Sequence, residues 1–242
     1  MALRGEASQV NLTSATTVAV TVSGIGIQLN DLILWGVVGG ASGTDTFTPP
    51  SGWTVVPGFT KQSLNGGATA ILYYKFATST EVSASTLTMT VNQNDFHCAT
   101  VAAFSGRNLS SPFTAVAQTA AVNSAAPPIT FARSGVTSSA GDDVAVFDFV
   151  NALGVVSQVL TFTPPTGYAD KDSPNPSAQF SQTICYCDSI NVSAGSTGTL
   201  AGTLNNSQGS NANYGSVVIS LASGGGAALG PSVVMLESSE YF

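Results

Sequence analysis

Thr46-Phe47-Thr48-Pro49-Pro50-Ser51-Gly52-Trp53 returns 115 residues later as Thr161-Phe162-Thr163-Pro164-Pro165-Thr166-Gly167-Tyr168. This recurrence decides the reading of the chain, because a repeat found twice in one sequence marks two copies of one structural unit. The flanking segments repeat in the same order. Asp31-Leu32-Ile33-Leu34-Trp35 before the first copy corresponds to Asp143-Val144-Ala145-Val146-Phe147 before the second. Ile71-Leu72-Tyr73-Tyr74 after it corresponds to Thr183-Ile184-Cys185-Tyr186, and each half closes on a valine-bearing strand, Ala99-Thr100-Val101-Ala102-Ala103-Phe104 or Ser216-Val217-Val218-Ile219-Ser220-Leu221.

Outward from the repeat, apolar residues alternate with polar or small ones. Val18, Val20 and Val22 do so, as do Leu87, Met89 and Val91 between Thr86, Thr88 and Thr90, the period of a half-buried strand. Glycine, serine, asparagine and proline clusters such as Gly39-Gly40-Ala41-Ser42-Gly43 and Asn65-Gly66-Gly67 break the pattern at short intervals, and no window offers a capped amphipathic helix. The fold class is all-β: two tandem antiparallel β-sandwich repeats, jelly-roll-like, of about six strands each, with a short C-terminal extension. The expected boundaries are an N-terminal arm at 1–12, repeats at 13–110 and 111–223, and a Gly-rich linker with an apolar tail at 224–242. Within the repeated turn, Pro50 suits position i+1 of a type I turn and Gly52 position i+3, while two prolines exclude a central strand. The aromatic that follows, Trp53 or Tyr168, can fold back over the open end of the core or present a stacking surface to a sugar.

Composition narrows the function. Only 8 % of the 242 residues are charged, 43 % are hydrophobic, and 31 serines and 27 threonines supply most of the remaining polarity. Six Lys and Arg against thirteen Asp and Glu leave a net charge of −7, which excludes the basic surface that phosphate backbones require, so nucleic acid is not an expected partner. No apolar run reaches the ~18 residues of a membrane-spanning helix, and Glu6 and Gln9 interrupt any export-signal core near the N-terminus. A soluble protein without membrane insertion is expected. Three cysteines, Cys98, Cys185 and Cys187, do not make a disulfide framework, and no histidine lies near the Cys185 and Cys187 pair to complete a zinc set. They read as small apolar residues of strands in a chain made in a reducing cytoplasm.

A catalytic triad would have to be built around His97, the one histidine, near Asp95 and beside Cys98. No G-x-S-x-G elbow accompanies it, and it reads as a strand-start histidine. Asp142, Asp143, Asp148, Asp170 and Asp172 raise the question of calcium, but no EF-hand pattern is present, and Asp31 and Asp143 stand at matching strand starts where each can cap a turn. No catalytic residue, metal or cofactor is assigned. Beyond Gly224-Gly225-Gly226 and Gly230-Pro231 lies an apolar strip, Val233-Val234-Met235-Leu236, followed by Glu237, Glu240, Tyr241 and Phe242. Such a strip either packs back on its own domain or docks on another subunit, for example as an added strand. Val233, Val234, Met235, Leu236, Tyr241 and Phe242 are the candidate partner-docking residues.

The order T-x-T-P-P-x-G-[WY], then Ile71-Leu72-Tyr73-Tyr74-Lys75-Phe76-Ala77, then Val101-Ala102-Ala103-Phe104-Ser105-Gly106, resembles a recurrent class of bacteriophage and prophage structural proteins. In that class a PPxGW turn, a YYK strand and an A(F/Y)SG strand follow one another. The likeness covers roughly residues 13–223; in the second half Cys185-Tyr186-Cys187 stands for Tyr-Tyr-Lys and Leu221-Ala222-Ser223 for Phe-Ser-Gly. It implies a non-enzymatic β-sandwich protein of the virion, on the head surface as decoration or fibre or associated with the tail, assembled in the host cytoplasm. Its implied partners are capsid or tail subunits and further copies of itself. The alternative is a carbohydrate- or host-receptor-binding adhesion module using Trp53 and Tyr168, with amide-rich loops such as Asn205-Asn206-Ser207-Gln208 around them.

Overall fold

A computed structural model describes residues 3–40, 44–64, 67–125, 128–152, 160–172, 180–187, 193–206 and 212–224. The first half contains β1 (Leu3–Thr21), β2 (Leu32–Gly39), β3 (Phe47–Thr48), β4 (Thr54–Val55), β5 (Gln62–Leu64), β6 (Ala68–Phe76), the one-turn helix α1 (Ser79–Ser83) and β7 (Thr86–Phe104). The second contains β8 (Phe113–Ala125), β9 (Ile129–Arg133), β10 (Thr137–Ser138), β11 (Asp143–Ala152), β12 (Leu160–Thr163), β13 (Ala169–Asp172), β14 (Phe180–Cys187), β15 (Gly195–Ser196), β16 (Leu200–Asn206) and β17 (Ala212–Leu221). The fold is all-β and antiparallel.

The main sheet of the first half runs β1-β7-β2-β6-β4, and that of the second runs β8-β17-β11-β14-β13. These orders correspond strand for strand. In the first half β1 and β7 are each 19 residues long and pair twice, Leu3 to Asn11 against Phe104 to His97 and Thr17 to Thr21 against Thr90 to Thr86, with register shifts around Ala15. Such irregularities bend a strand out of its sheet. In the second half the same path is cut in two: β8 pairs β17 in the main sheet, while β9 pairs β16 in a separate three-stranded sheet with β12. The short β3 on β7 matches β12 on β16, with Phe47 opposite Val91 and Phe162 opposite Leu204.

Alternation survives in the outer layer. Val18, Val20, Leu87, Met89 and Val91 are buried between exposed Ala19, Thr88 and Thr90. By contrast every residue of β2, and every residue of β17, is buried, so these strands are covered on both faces. The register gives the reason. Val144, Val146 and Val218 pack with Leu200 and Val136 of their own half, whereas Ala145, Phe147, Phe149, Val217, Ile219 and Leu221 join the core of the first half. The two main sheets therefore lie against each other, β2 and β7 meeting β11 and β14, each carrying its own outer layer. Phe59 against Phe149 (6.1 Å between ring centroids) and Tyr74 edge-on to Phe113 (5.0 Å) extend this shared core to its margins.

Four local readings change. Residues 3–12, expected as an arm, belong to β1 and pair with the end of β7. Gly52 and Gly167 sit at φ +87° and +86°, and the Tyr168 amide donates to Pro165 O at 3.0 Å. The glycine is therefore at i+2 of the turn, where a positive φ is required, and the second proline is at i. A helix does exist: Thr78 and Glu81 form a reciprocal capping box around α1, a T-x-x-E signal too short to register as periodicity. Finally, the counterpart of Asp31 is Asp142 rather than Asp143. Asp31 Oδ2 accepts from Gln28 N (2.8 Å) while its own amide donates to Gln28 O, and Asp142 Oδ2 accepts from Ser139 N (2.9 Å) while its amide donates to Ser139 O. Asp143 occupies the place of Leu32, for these two residues stand opposite Leu221 and Phe104 respectively.

Candidate functional site

The aromatic of the repeated turn is half-buried in both halves. Trp53 lies edge-on against Trp35 of β2, centroids 5.1 Å apart and planes at 69°, and its buried indole N–H has no acceptor. Tyr168 packs on the cluster of Val136, Val144, Val146, Leu200 and Val218. Each aromatic thus packs on the core of its own half while staying partly exposed.

His97 lies on β7 opposite Gly39 of β2. It is 1 % exposed, its ring stands edge-on to Phe47 at 5.6 Å, and neither ring nitrogen has a hydrogen-bond partner. Burial lowers its pKa, with Asp95 acting in the opposite direction. Close by in sequence to the glycine pair, Asp45 is fully buried with both carboxylate oxygens unpartnered, although Lys61 Nζ donates to its backbone carbonyl at 3.2 Å. Burial raises the Asp45 pKa, Asp95 raises it further, and Lys61 opposes both. Gly39 and Gly40 make room for the two side chains: a Cβ on Gly39 would fall 2.6 Å from His97 Cδ2, and one on Gly40 would fall on the Asp45 carboxylate. A nucleophile–base pair needs hydrogen-bond contact, and no described hydroxyl or thiol bonds the His97 ring. Cys98, the next residue, is buried and forms no disulfide.

Three of the acidic residues weighed for calcium, Asp142, Asp143 and Asp148, are engaged by protein partners. Asp142 receives Ser220 Oγ at 2.8 Å as well as Ser139 N. Asp143 pairs with Arg107 at 2.8 Å, both side chains at 0 % exposure, and Arg107 also donates to Leu221 O at 2.9 Å. Asp148 receives Arg133 through two bonds, 2.8 Å from Nε and 2.5 Å from Nη2. Among the described residues no group of three or more His, Cys, Asp or Glu is arranged to hold a metal ion. The side chains of Asp170, Asp172, Cys185 and Cys187 lie outside what is described, as do Ser207 and Gln208 of the amide-rich loop and the docking candidates Val233, Val234, Met235, Leu236, Tyr241 and Phe242.

An open concavity among the described residues lies at the joint between the halves. A cleft of about 530 Å³ is lined by Arg4, Asp31 and Arg107, by Leu29 and Leu109, and by Gly224. Neither leucine was singled out by the sequence, since an isolated apolar residue in a polar loop carries no pattern. Buried Arg133 and Arg107 were equally unmarked. For Arg133 the available signal was its acidic partner Asp148, set within Val144-Ala145-Val146-Phe147-Asp148-Phe149-Val150, because a charge inside an apolar strand must find a counter-charge.

No protein-family model, curated protein or solved structure matches this chain.

Proposed function

We propose that the chain is a non-enzymatic structural subunit of a bacteriophage virion, a head decoration or fibre protein or a tail-associated one, held by contacts with other virion subunits and with copies of itself. One observation carries the reading. The three segments on which the resemblance rests are spatial neighbours: β2 is paired on one side with β6, which holds Ile71 to Phe76, and on the other with β7, which holds Val101 to Phe104, while Trp53 of the turn closes over Trp35 of β2. Residues placed this way serve as packing for a rigid block. Strands buried on both faces and a hydroxyl-rich, charge-poor composition support a particle component for the same reason.

Immunogold labelling of purified particles in the electron microscope, with mass spectrometry of the same preparation, tests the reading. Label at a fixed position on the particle is the expected result, and a protein abundant in the lysate but missing from purified particles would overturn it. Binding to host envelope polysaccharide that disappears in a folded Trp53→Ala variant would move the assignment to the adhesion module. Release of reducing ends that is lost on one Asp→Asn change would refute the non-enzymatic part.

A further inference from the structure

Among the described residues three large hydrophobic side chains are exposed, and two of them, Leu29 (61 %) and Leu109 (56 %), line the same cleft at the joint of the halves. Both are held on ordered turns. Leu29 lies in the loop closed by the mutual hydrogen bonds of Gln28 and Asp31, beside Asn30, whose φ is +66° and whose amide donates to Ala77 O. Leu109 follows Asn108, whose Oδ1 accepts from the amides of Ser110 (2.9 Å) and Ser111 (3.0 Å), and whose own amide donates to Ala222 O. Two leucines fixed on opposite turns around one concavity form an apolar pair that gains by being covered. Arg4, with its side chain 30 % exposed and its Nε on Asp31, adds a cation at the rim.

We propose that this cleft seats residues 231–242 of the same chain. Gly224, which lines the cleft and whose amide donates to Gly106 O at 2.8 Å, is where the described chain ends, and Val233 follows nine residues on. Eight glycine-rich residues span about 16 Å root-mean-square, enough to carry the strip from Gly224 across a cleft of about 530 Å³. A segment tethered at that length meets its seat at an effective concentration of about millimolar, so it excludes a second copy present at micromolar concentration. The chemistry is complementary: Val233, Val234, Met235 and Leu236 match the leucine pair, and Glu237 or Glu240 matches Arg4. The seat itself does not depend on the chain being a virion protein.

The test uses the full chain with p-benzoylphenylalanine replacing Leu109, prepared as an equal mixture of ¹⁴N- and ¹⁵N-labelled protein. Irradiation should give cross-links to residues 231–242 within single-isotope chains, at a yield independent of dilution. Mixed-isotope cross-links making up half of the total, the share that random pairing gives, would assign the cleft to a second copy, and cross-links elsewhere or none would remove the segment from the cleft; either overturns the proposal. As a second measurement, Val234→Asp with Leu236→Asp should speed hydrogen exchange at residues 28–31 and 108–111 on the order of tenfold, with exchange in β11 and β17 unchanged. Unchanged exchange at both loops would also count against the seat.

Discussion

The two halves place the same strands in the same order, yet at one corresponding set of positions they fill the space with opposite chemistry. In the first half Val20 of β1, Val37 of β2 and Met89 of β7 are wholly buried apolar residues. The register assigns their counterparts as Arg133, Asp148 and Gly202: Val20 stands opposite Leu87 as Arg133 stands opposite Leu200, and Val37 and Asp148 occupy the same place along β2 and β11. An apolar trio has become a bidentate ion pair, with side chains 1 % and 0 % exposed. Gly202 accommodates the guanidinium, for a Cβ there would approach Arg133 Nη1 to 2.6 Å. The fold therefore specifies the volume at this point and leaves its polarity free, provided that charge meets charge.

The largest effect should come from breaking that pair on one side only. Asp148→Val leaves Arg133 buried without its counter-charge and should cost about 3–5 kcal/mol in urea or thermal unfolding. Restoring apolar character on both sides, Asp148→Val with Arg133→Met and Gly202 retained, should recover the loss and can exceed the wild type by about 1–4 kcal/mol. If the single change costs under about 1 kcal/mol, the ion pair is solvated and the contrast between the halves is less deep than drawn. A double variant as unstable as the single one would mean that volume, not charge, separates them.

Arg107 sharpens the comparison at the joint. It stands just after β7, yet its guanidinium reaches Asp143 and Leu221 O of the second half, so it fastens one half to the other. Arg107→Met should cost about 3 kcal/mol, since it leaves Asp143 buried and unpaired. Adding Asp143→Leu, the residue of the corresponding first-half position Leu32, should return most of it. The same double variant tests whether the halves unfold together: a single coincident transition by tryptophan fluorescence and far-ultraviolet dichroism indicates that the shared core alone couples them, and two transitions that the fastening by Arg107 was required.

Much of this architecture was legible in the sequence, and the exceptions have physical reasons. The PPxG-aromatic repeat, the alternating outer strands and the all-β class follow from period two and turn chemistry, which act over a few residues. The shared core was not legible, because a strand buried on both faces, such as Leu32-Ile33-Leu34-Trp35, reads as a plain apolar run that does not say what lies on either side. The Asp142-Asp143 doublet was ambiguous by one residue, and only the capping hydrogen bonds to Ser139 choose between them. In a strand a slip of one residue exchanges the faces. It would have put Asp143 beside Asp31 as a second cap and hidden its pairing with Arg107. Leu29 and Leu109 lie in loops whose pattern carries no information about a cleft formed by segments about eighty residues apart.

The smallest expected effects concern pH and the first half, where the side chains of Asp45 and His97 are buried without hydrogen-bond partners. The Asp45 pKa is raised in the folded state, chiefly by burial. The folded state therefore holds its proton to higher pH than the unfolded chain does, so the contribution of Asp45 is fully present below its ordinary pKa of 3.8 and is lost as pH rises through the raised value. His97 behaves in the opposite sense. Burial lowers its pKa from 6.5, so its contribution is present above pH 6.5 and is lost as the pH falls through that value toward the lowered one. Asp45→Asn should accordingly gain stability relative to wild type at pH 7 and none at pH 3. His97→Gln should flatten the decline that wild type shows on acidification below pH 6.5. Neither change should alter the response to pH of Asp148→Val, whose partner Arg133 lies in the other half. Thermal unfolding between pH 3 and 8 measures all three. If Asp45→Asn gains nothing at pH 7, or if His97→Gln declines below pH 6.5 as steeply as the parent, the corresponding side chain is hydrated in solution, and the Gly39-Gly40 end of the first half is more open than its packing indicates.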